Sequence, residues 1–260
     1  MGIINMTPDS FSDGGIFGNI QEAVEHGLKL VQDGADILDI GGESSRPNSD
    51  PVNLDEELER VIPVIRELKG SINIPISIDT TKAEVARKAV ESGAEIINDI
   101  SAMRNDRKMP EVVARYRVPV VLMHMRGMPK TMQRGDISYG SVTGEITQFL
   151  KESIEKAESA GIDRENIIVD PGIGFGKRTG DNIRILKRLR EFKSLGRPIL
   201  IGTSRKSFIG EITGREPGDR VDGTAATVTA AIMNGANIVR VHDVGFMKGV
   251  SQIADSIVRN

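Results

Sequence analysis

The feature that most constrains this chain is a repeating order of strand, loop, helix and glycine that runs along its whole length. Short aliphatic runs ending in Gly or a polar residue recur as GIIN (2–5), ILDIGG (37–42), PISID (75–79), IINDI (96–100), VPVVLMH (118–124), NIIVDPG (166–172), PILIGT (198–203) and NIVRVHD (237–243). These runs are near-continuously apolar, the pattern of parallel strands covered on both faces. Helical periodicity fills 20–33, 54–69, 81–92, 109–115, 144–160, 181–194, 221–234 and 246–258. Gly34, Gly70, Gly93, Gly161, Gly196 and Gly235 stand where six of these helices should stop. Eight such units close into a barrel, whereas an open doubly wound sheet more often has fewer units and a Gly-rich dinucleotide fingerprint after its first strand, which GIIN lacks. The expected fold is α/β, a (β/α)8 TIM barrel forming one domain over residues 1–260.

Composition narrows the chemistry. The chain contains no cysteine, so disulfides, thiolate nucleophiles and thiolate metal sites are excluded, and any metal must be held by oxygen or imidazole. Thirty-four basic against 37 acidic residues leave a net charge of -3, which is no footprint for nucleic acid, and two Tyr with no Trp make a poor base-stacking platform. No apolar run approaches the ~18 residues of a membrane span, and no signal-peptide pattern opens the chain. A soluble, cytoplasmic protein that binds neither nucleic acid nor membrane is expected.

In a barrel of this kind the polar residues at the C-terminal ends of the strands meet at one face. The eight ends offer Asn5, Asp39 with Glu43, Asp79, Asn98 with Asp99, His124, Asp170, Ser204 with Lys206, and Arg240 with His242 and Asp243. Helix capping or turn formation accounts for any one of them, but not easily for all. Loops 6–15 and 42–53 are long enough to act as lids, and the segment 125–140, with its basic residues and three Met, reads as a third, mobile one.

Two features point to an anionic ligand. Arg240 and His242 alternate on a strand, so they point the same way and can both donate to an anion. GTSRKSFIG (202–210) brings Ser204, Arg205, Lys206 and Ser207 to the start of a short helix, where backbone N–H groups favour anions. The plainer alternatives are an Arg240–Asp243 pair and a solvated Arg205. Asp79, Asn98 and Asp170 suit the N–H edge of an amidine-bearing heterocycle, or else a structural ion pair with Lys206 or Arg240. Zinc and calcium motifs are absent; a magnesium ion held by substrate phosphates and one protein oxygen, with Asn5 the candidate, is compatible with the sequence.

The segments GIINMTPDSFSDGG (2–15), GGESSRP (41–47), SIDTTKAEVA (77–86), IINDIS (96–101), DPGIGFGK (170–177), GTSRKSFIG (202–210) and RVHD (240–243) resemble, in order, the motifs of the dihydropteroate synthases. The resemblance implies a pterin-binding barrel that joins para-aminobenzoate to hydroxymethyl-dihydropterin diphosphate, releases pyrophosphate in folate synthesis, and forms a homodimer through outer helices. It further implies that Asp79, Asn98, Asp170 and Lys206 hold the pterin and that Arg240 stacks on its face. Asn5, Arg240 and His242 would bind the diphosphate and its Mg2+, and Phe11, Ser45, Arg46, Pro47, Phe175 and Ser207 would border the aminobenzoate. Ser45 stands where the family commonly has Thr, Asn48 where Gly is frequent, and Met6 where Val is usual.

Two other functions compete. A pterin-dependent methyltransferase would share the Asp and Asn ligands but has no need of TPDSFSD, SRKS or the Arg240–His242 pair. A silent pterin-binding protein would have lost the residues of loop one or RVHD, and both are present.

Overall fold

The structure, a computed structural model, describes residues 1–6, 15–44, 49–128, 130–132 and 137–259, with the side chains of 15–19 and 259 outside that description. Eight parallel strands follow one another: β1 (Gly2–Asn5), β2 (Leu38–Gly41), β3 (Ile76–Asp79), β4 (Ile96–Asp99), β5 (Val120–Met123), β6 (Ile167–Asp170), β7 (Leu200–Ile201) and β8 (Ile238–Val239). β1 to β6 pair in sequence order and β7 pairs with β8. The circle is completed by a Val169–Ile199 bridge between the β6 and β7 segments and a Gly2–Val241 bridge between the β1 and β8 segments. Ile3 N–H donates to Val241 O at 3.1 Å across the second seam. The expected (β/α)8 TIM barrel is therefore the fold.

Nine α-helices are described: α1 (Gly15–Gln32), α2 (Leu54–Lys69), α3 (Ala83–Glu91), α4 (Met109–Tyr116), α5 (Val142–Ser159), α6 (Thr179–Lys187), α7 (Ser207–Thr213), α8 (Val221–Met233) and α9 (Val244–Arg259). None of the described helices is long and apolar enough to cross a membrane.

Strand alternation sorts the core into two parts. Outward-facing residues such as Ile4, Leu38, Ile40, Ile76, Ile78 and Ile97 join the helices in one large cluster, while Met1, Ile96, Val121, Ile168 and Leu200 form a separate one with Ile37 and Ile238. This smaller cluster lies in the N-terminal half of the barrel interior. Two residues further along the strands, Ile37 gives way to Asp39, Ile96 to Asn98, Ile168 to Asp170 and Ile238 to Arg240. A dry floor thus supports a polar layer, which is where a barrel of parallel strands presents its chemistry.

The structure corrects the sequence-based boundaries in several places. α1 starts at Gly15 instead of 20, because Gly15 and Gly18 weaken the helical signal without preventing the helix. The pattern over 181–194 is not one helix: α6 ends at Lys187 and a 3-10 turn covers Leu189–Leu195. Leu189, Phe192 and Leu195 are spaced by three, which puts all three on one face of a 3-10 helix, and all three are buried. Five of the six helix-ending glycines take positive φ, but Gly70 stays right-handed at φ -72°. The segment after β5, expected to be loose, packs Met125 and Met132 against Met123 and Phe175 in its described part.

Candidate active site

The polar layer is knitted by Arg240, which follows β8. Its Nε donates to Asp39 Oδ2 at 2.5 Å and its Nη2 to Asp79 Oδ2 at 2.9 Å. Asn98 Nδ2 donates to the same Asp39 oxygen at 3.1 Å. Burial disfavours the charge of Arg240, but Asp39 and Asp79 more than restore it. Asp79 is pushed up to about 7, chiefly by burial; Arg240 opposes that shift, while Asp39, Glu57 and Asp99 reinforce it. Asp79 therefore pairs with Arg240, and the Arg240–Asp243 alternative is not what forms: Asp243 is taken by Arg205 at 2.5 Å.

On the opposite wall, Asp170 Oδ1 accepts the Gly172 N–H at 2.7 Å, and burial pushes this acid up to about 6. Lys206 stands at the N-cap position of α7 without a side-chain capping bond, and lays its ammonium 4.2 Å from the centre of the Phe175 ring. Burial, then Arg240, pull Lys206 down to about 8, against Asp170 and Asp79. Gly174 lets this lysine pass, since a Cβ there would lie 3.3 Å from Lys206 Cδ and its φ is +82°. His242 Nδ1 lies 2.9 Å from Ser204 Oγ, which also accepts the His242 N–H at 3.2 Å. Burial, then Arg240, hold His242 down to about 3, so its imidazole is neutral at ordinary pH.

Asp79, Asn98, Asp170, Phe175, Lys206 and Arg240 thus converge. Asn5 ends β1 half-buried on the rim, and Ser207 is exposed at the first turn of α7. Phe11, Ser45, Arg46 and Pro47 lie outside the described residues, as does Asn48. Three further groups had only weak sequence signals. Asp39 was one more polar residue on a strand, yet it is the acceptor shared by Arg240 and Asn98. Lys177 is buried, with Nζ 3.0 Å from His124 Nδ1 and donating to the Phe175 and His124 carbonyls at 3.0 and 3.2 Å, and burial takes it down to about 7. His124, pushed down to about 2 first by burial and then by Lys177, is a neutral packing group. Lys82 pairs with both Glu43 and Glu57, and Thr80 Oγ1 donates to Glu57 at 2.6 Å, which fastens the base of the loop after β2.

Among the described residues no three His, Asp or Glu side chains come together as a metal cage. A sizeable cavity lies at the other end of the barrel, among Met1, Ile37, Val239 and Met247, away from these groups.

Residues 1–242 match the family of pterin-binding enzymes. A dihydropteroate synthase of Synechocystis sp. is 50% identical over 260 residues, which cover 100% of this chain and 90% of the relative. The structure of Xanthomonas albilineans dihydropteroate synthase with 4-aminobenzoic acid superposes with a TM-score of 0.93 at 48% identity, covering 99% of this chain and 92% of that one. The same bacterial enzyme in complex with 7,8-dihydropteroate superposes with a TM-score of 0.89 at 46% identity, again over 99% and 92% of the two chains. With the barrel, its polar mouth and this likeness together, the chain belongs to the dihydropteroate synthases, transferases of the pterin-binding enzyme family.

Proposed function

We propose that this enzyme joins the amino group of para-aminobenzoate to the methylene carbon of hydroxymethyl-dihydropterin diphosphate and releases pyrophosphate, a step of folate synthesis. The observation that carries the reading is the meeting of Asp79, Asn98, Asp170, Lys206 and Arg240 at one barrel mouth. Two carboxylates and an amide match the N–H edge of a pterin, and a guanidinium with a lysine matches its face and its anionic tail.

In this reading Asp79, Asn98, Asp170 and Lys206 hold the ring, and Arg240 covers its face. Arg240 and the neutral His242 donate to the departing diphosphate, so the electron pair of the breaking carbon–oxygen bond is stabilised as it leaves. The methylene cation is delocalised into the pterin, and the ionised forms of Asp170 and Asp79 stabilise it, Asp170 being the more acidic of the two. The amine nitrogen then closes on the carbon and one proton is released, with no covalent enzyme intermediate. A carbon isotope effect at the methylene that reported a tight, associative displacement would contradict this dissociative order.

Asn5, on the rim at the end of β1, suits a magnesium ion that arrives with the diphosphate and needs a single protein oxygen. When bound, that ion supplies charge neutralisation of the leaving group. Phe11, Ser45, Arg46, Pro47, Phe175 and Ser207 would border the aminobenzoate. We further read the chain as one domain over 1–260 that works in the cytoplasm as a homodimer. Support for the pairing is a row of exposed apolar side chains on α9, namely Phe246, Ile253 and Ile257.

The test is pyrophosphate release by the purified protein given the dihydropterin diphosphate, magnesium and para-aminobenzoate, each omitted in turn. Release that needs all three, with matching dihydropteroate, supports the reading. Pterin binding without turnover would move the case to a methyltransferase or a silent binding protein.

A further inference from the structure

An eight-stranded barrel packs its interior in layers of four side chains drawn from alternate strands, normally bulky aliphatics. The even strands of this barrel instead present Asp39, Asn98, Asp170 and Arg240 at one level. Asp39 is the member of that layer without a role so far. Its residue is 0% exposed, and its Oδ2 accepts from both Arg240 and Asn98, at 2.5 and 3.1 Å. Its other oxygen has no hydrogen-bond partner, nor has the Ser77 hydroxyl, which stands in register with it on β3.

The two ties of Arg240 are therefore unequal. Nε is bound to a carboxylate sealed inside the barrel, whereas Nη2 is bound to Asp79, whose side chain keeps 14% exposure at the mouth. A ligand whose N–H edge takes Asp79 competes for the acceptor that Nη2 uses, but the Asp39 contact lies beneath its reach. We propose that Asp39 is the positioning residue of this site: it retains Arg240 by Nε, and holds Asn98, while substrate exchanges with Nη2 for Asp79 and frees that end of the guanidinium for the ring face and diphosphate. The inference rests on the reading that Asp79 and Arg240 meet the pterin diphosphate.

Asp39→Asn tests it, because the amide oxygen can still accept while the charge is gone. Loss of a buried partner that orients a working group typically costs about tenfold or more, so kcat/KM for the pterin diphosphate should fall by at least about tenfold. KM for para-aminobenzoate at saturating pterin should stay within about twofold, since the lost contact does not face that substrate. The acidic limb of the pH profile should also move down. Asp79 is faced by Arg240, Asp39, Glu57, Asp99 and Lys206, and removing the Asp39 charge takes away one of the anions that hold it up. A merely structural role would lower Tm and leave the limb in place. An active Asp39→Asn enzyme with wild-type pterin kinetics and pH profile overturns the proposal.

If Asp39→Asn does not fold, the full-length wild-type protein decides by nitrogen-15 NMR of its arginine Nε–H groups, with the Arg240 signal identified by its loss in Arg240→Lys. Persistence of a solvent-protected Arg240 Nε–H when dihydropterin diphosphate is added without aminobenzoate supports the proposal, and loss of protection overturns it. Absence of pyrophosphate release by the wild-type protein would defeat the functional reading itself, a result separate from an insensitive Asp39→Asn enzyme.

Discussion

Asp170 and Gly172 depend on each other. The turn that brings the Gly172 N–H to Asp170 has φ +70°, and a Cβ at 172 would sit 2.0 Å from the carbonyl oxygen of His124. Gly172→Ala therefore combines left-handed strain with a backbone collision, and it should cost at least about 3 kcal/mol in urea unfolding or prevent folding. Asp170 itself makes a prediction about pH. Its folded pKa, about 6, lies above the unfolded value near ~3.9, so the stability it contributes is complete below the unfolded value and is lost as pH rises through about 6. Asp170→Asn keeps an acceptor for Gly172 but has no such dependence. Its Tm relative to wild type should consequently improve between pH 4 and pH 7; an equal difference at both would contradict the raised pKa.

Among the elements, α2 shows how local sequence decides a boundary. Asn53 accepts the Glu56 N–H at 2.9 Å, Asp55, Glu56 and Glu57 fill the first turn, and Arg66 and Lys69 lie in the last. These five charges complement the helix dipole, while Glu67 in the last turn opposes it. Asn53→Ala should lower stability by about 1 kcal/mol, a fall of ~2–4 °C in Tm for a chain of this size, with kcat unchanged. Such features were legible beforehand because they are local. All eight strands lie within their apolar runs, and α2 has the limits that its pattern and caps suggest. The break after Lys187 was not legible, since Leu189, Phe192 and Leu195 satisfy a helical period and a 3-10 period alike until the burial direction is known. In the site, Asp79, Asn98, Asp170 and Arg240 could be picked out as polar residues at strand ends. What Asp39 does could not, because its contact with Arg240 spans 201 residues and exists only once the barrel has closed.

For the molecule as a whole, the surface and the interior each make a demand. On α9, Phe246, Ile253 and Ile257 are 57%, 66% and 64% exposed at helical spacing, an apolar row that would be covered in the homodimer proposed above. Replacing Phe246 and Ile253 together by Asp should give monomers in sedimentation velocity, and an unchanged oligomeric state would place the contact elsewhere. Inside, the chain leaves at the middle of its barrel a stratum of charge and amide where most barrels are packed with hydrocarbon. A flat heterocycle seated on this stratum would cover its polar groups from the mouth side. Compounds that descend to this stratum should shield the entire barrel from heat and proteases, while those that stop at the rim should inhibit without such shielding, so a melting assay would sort inhibitors by depth.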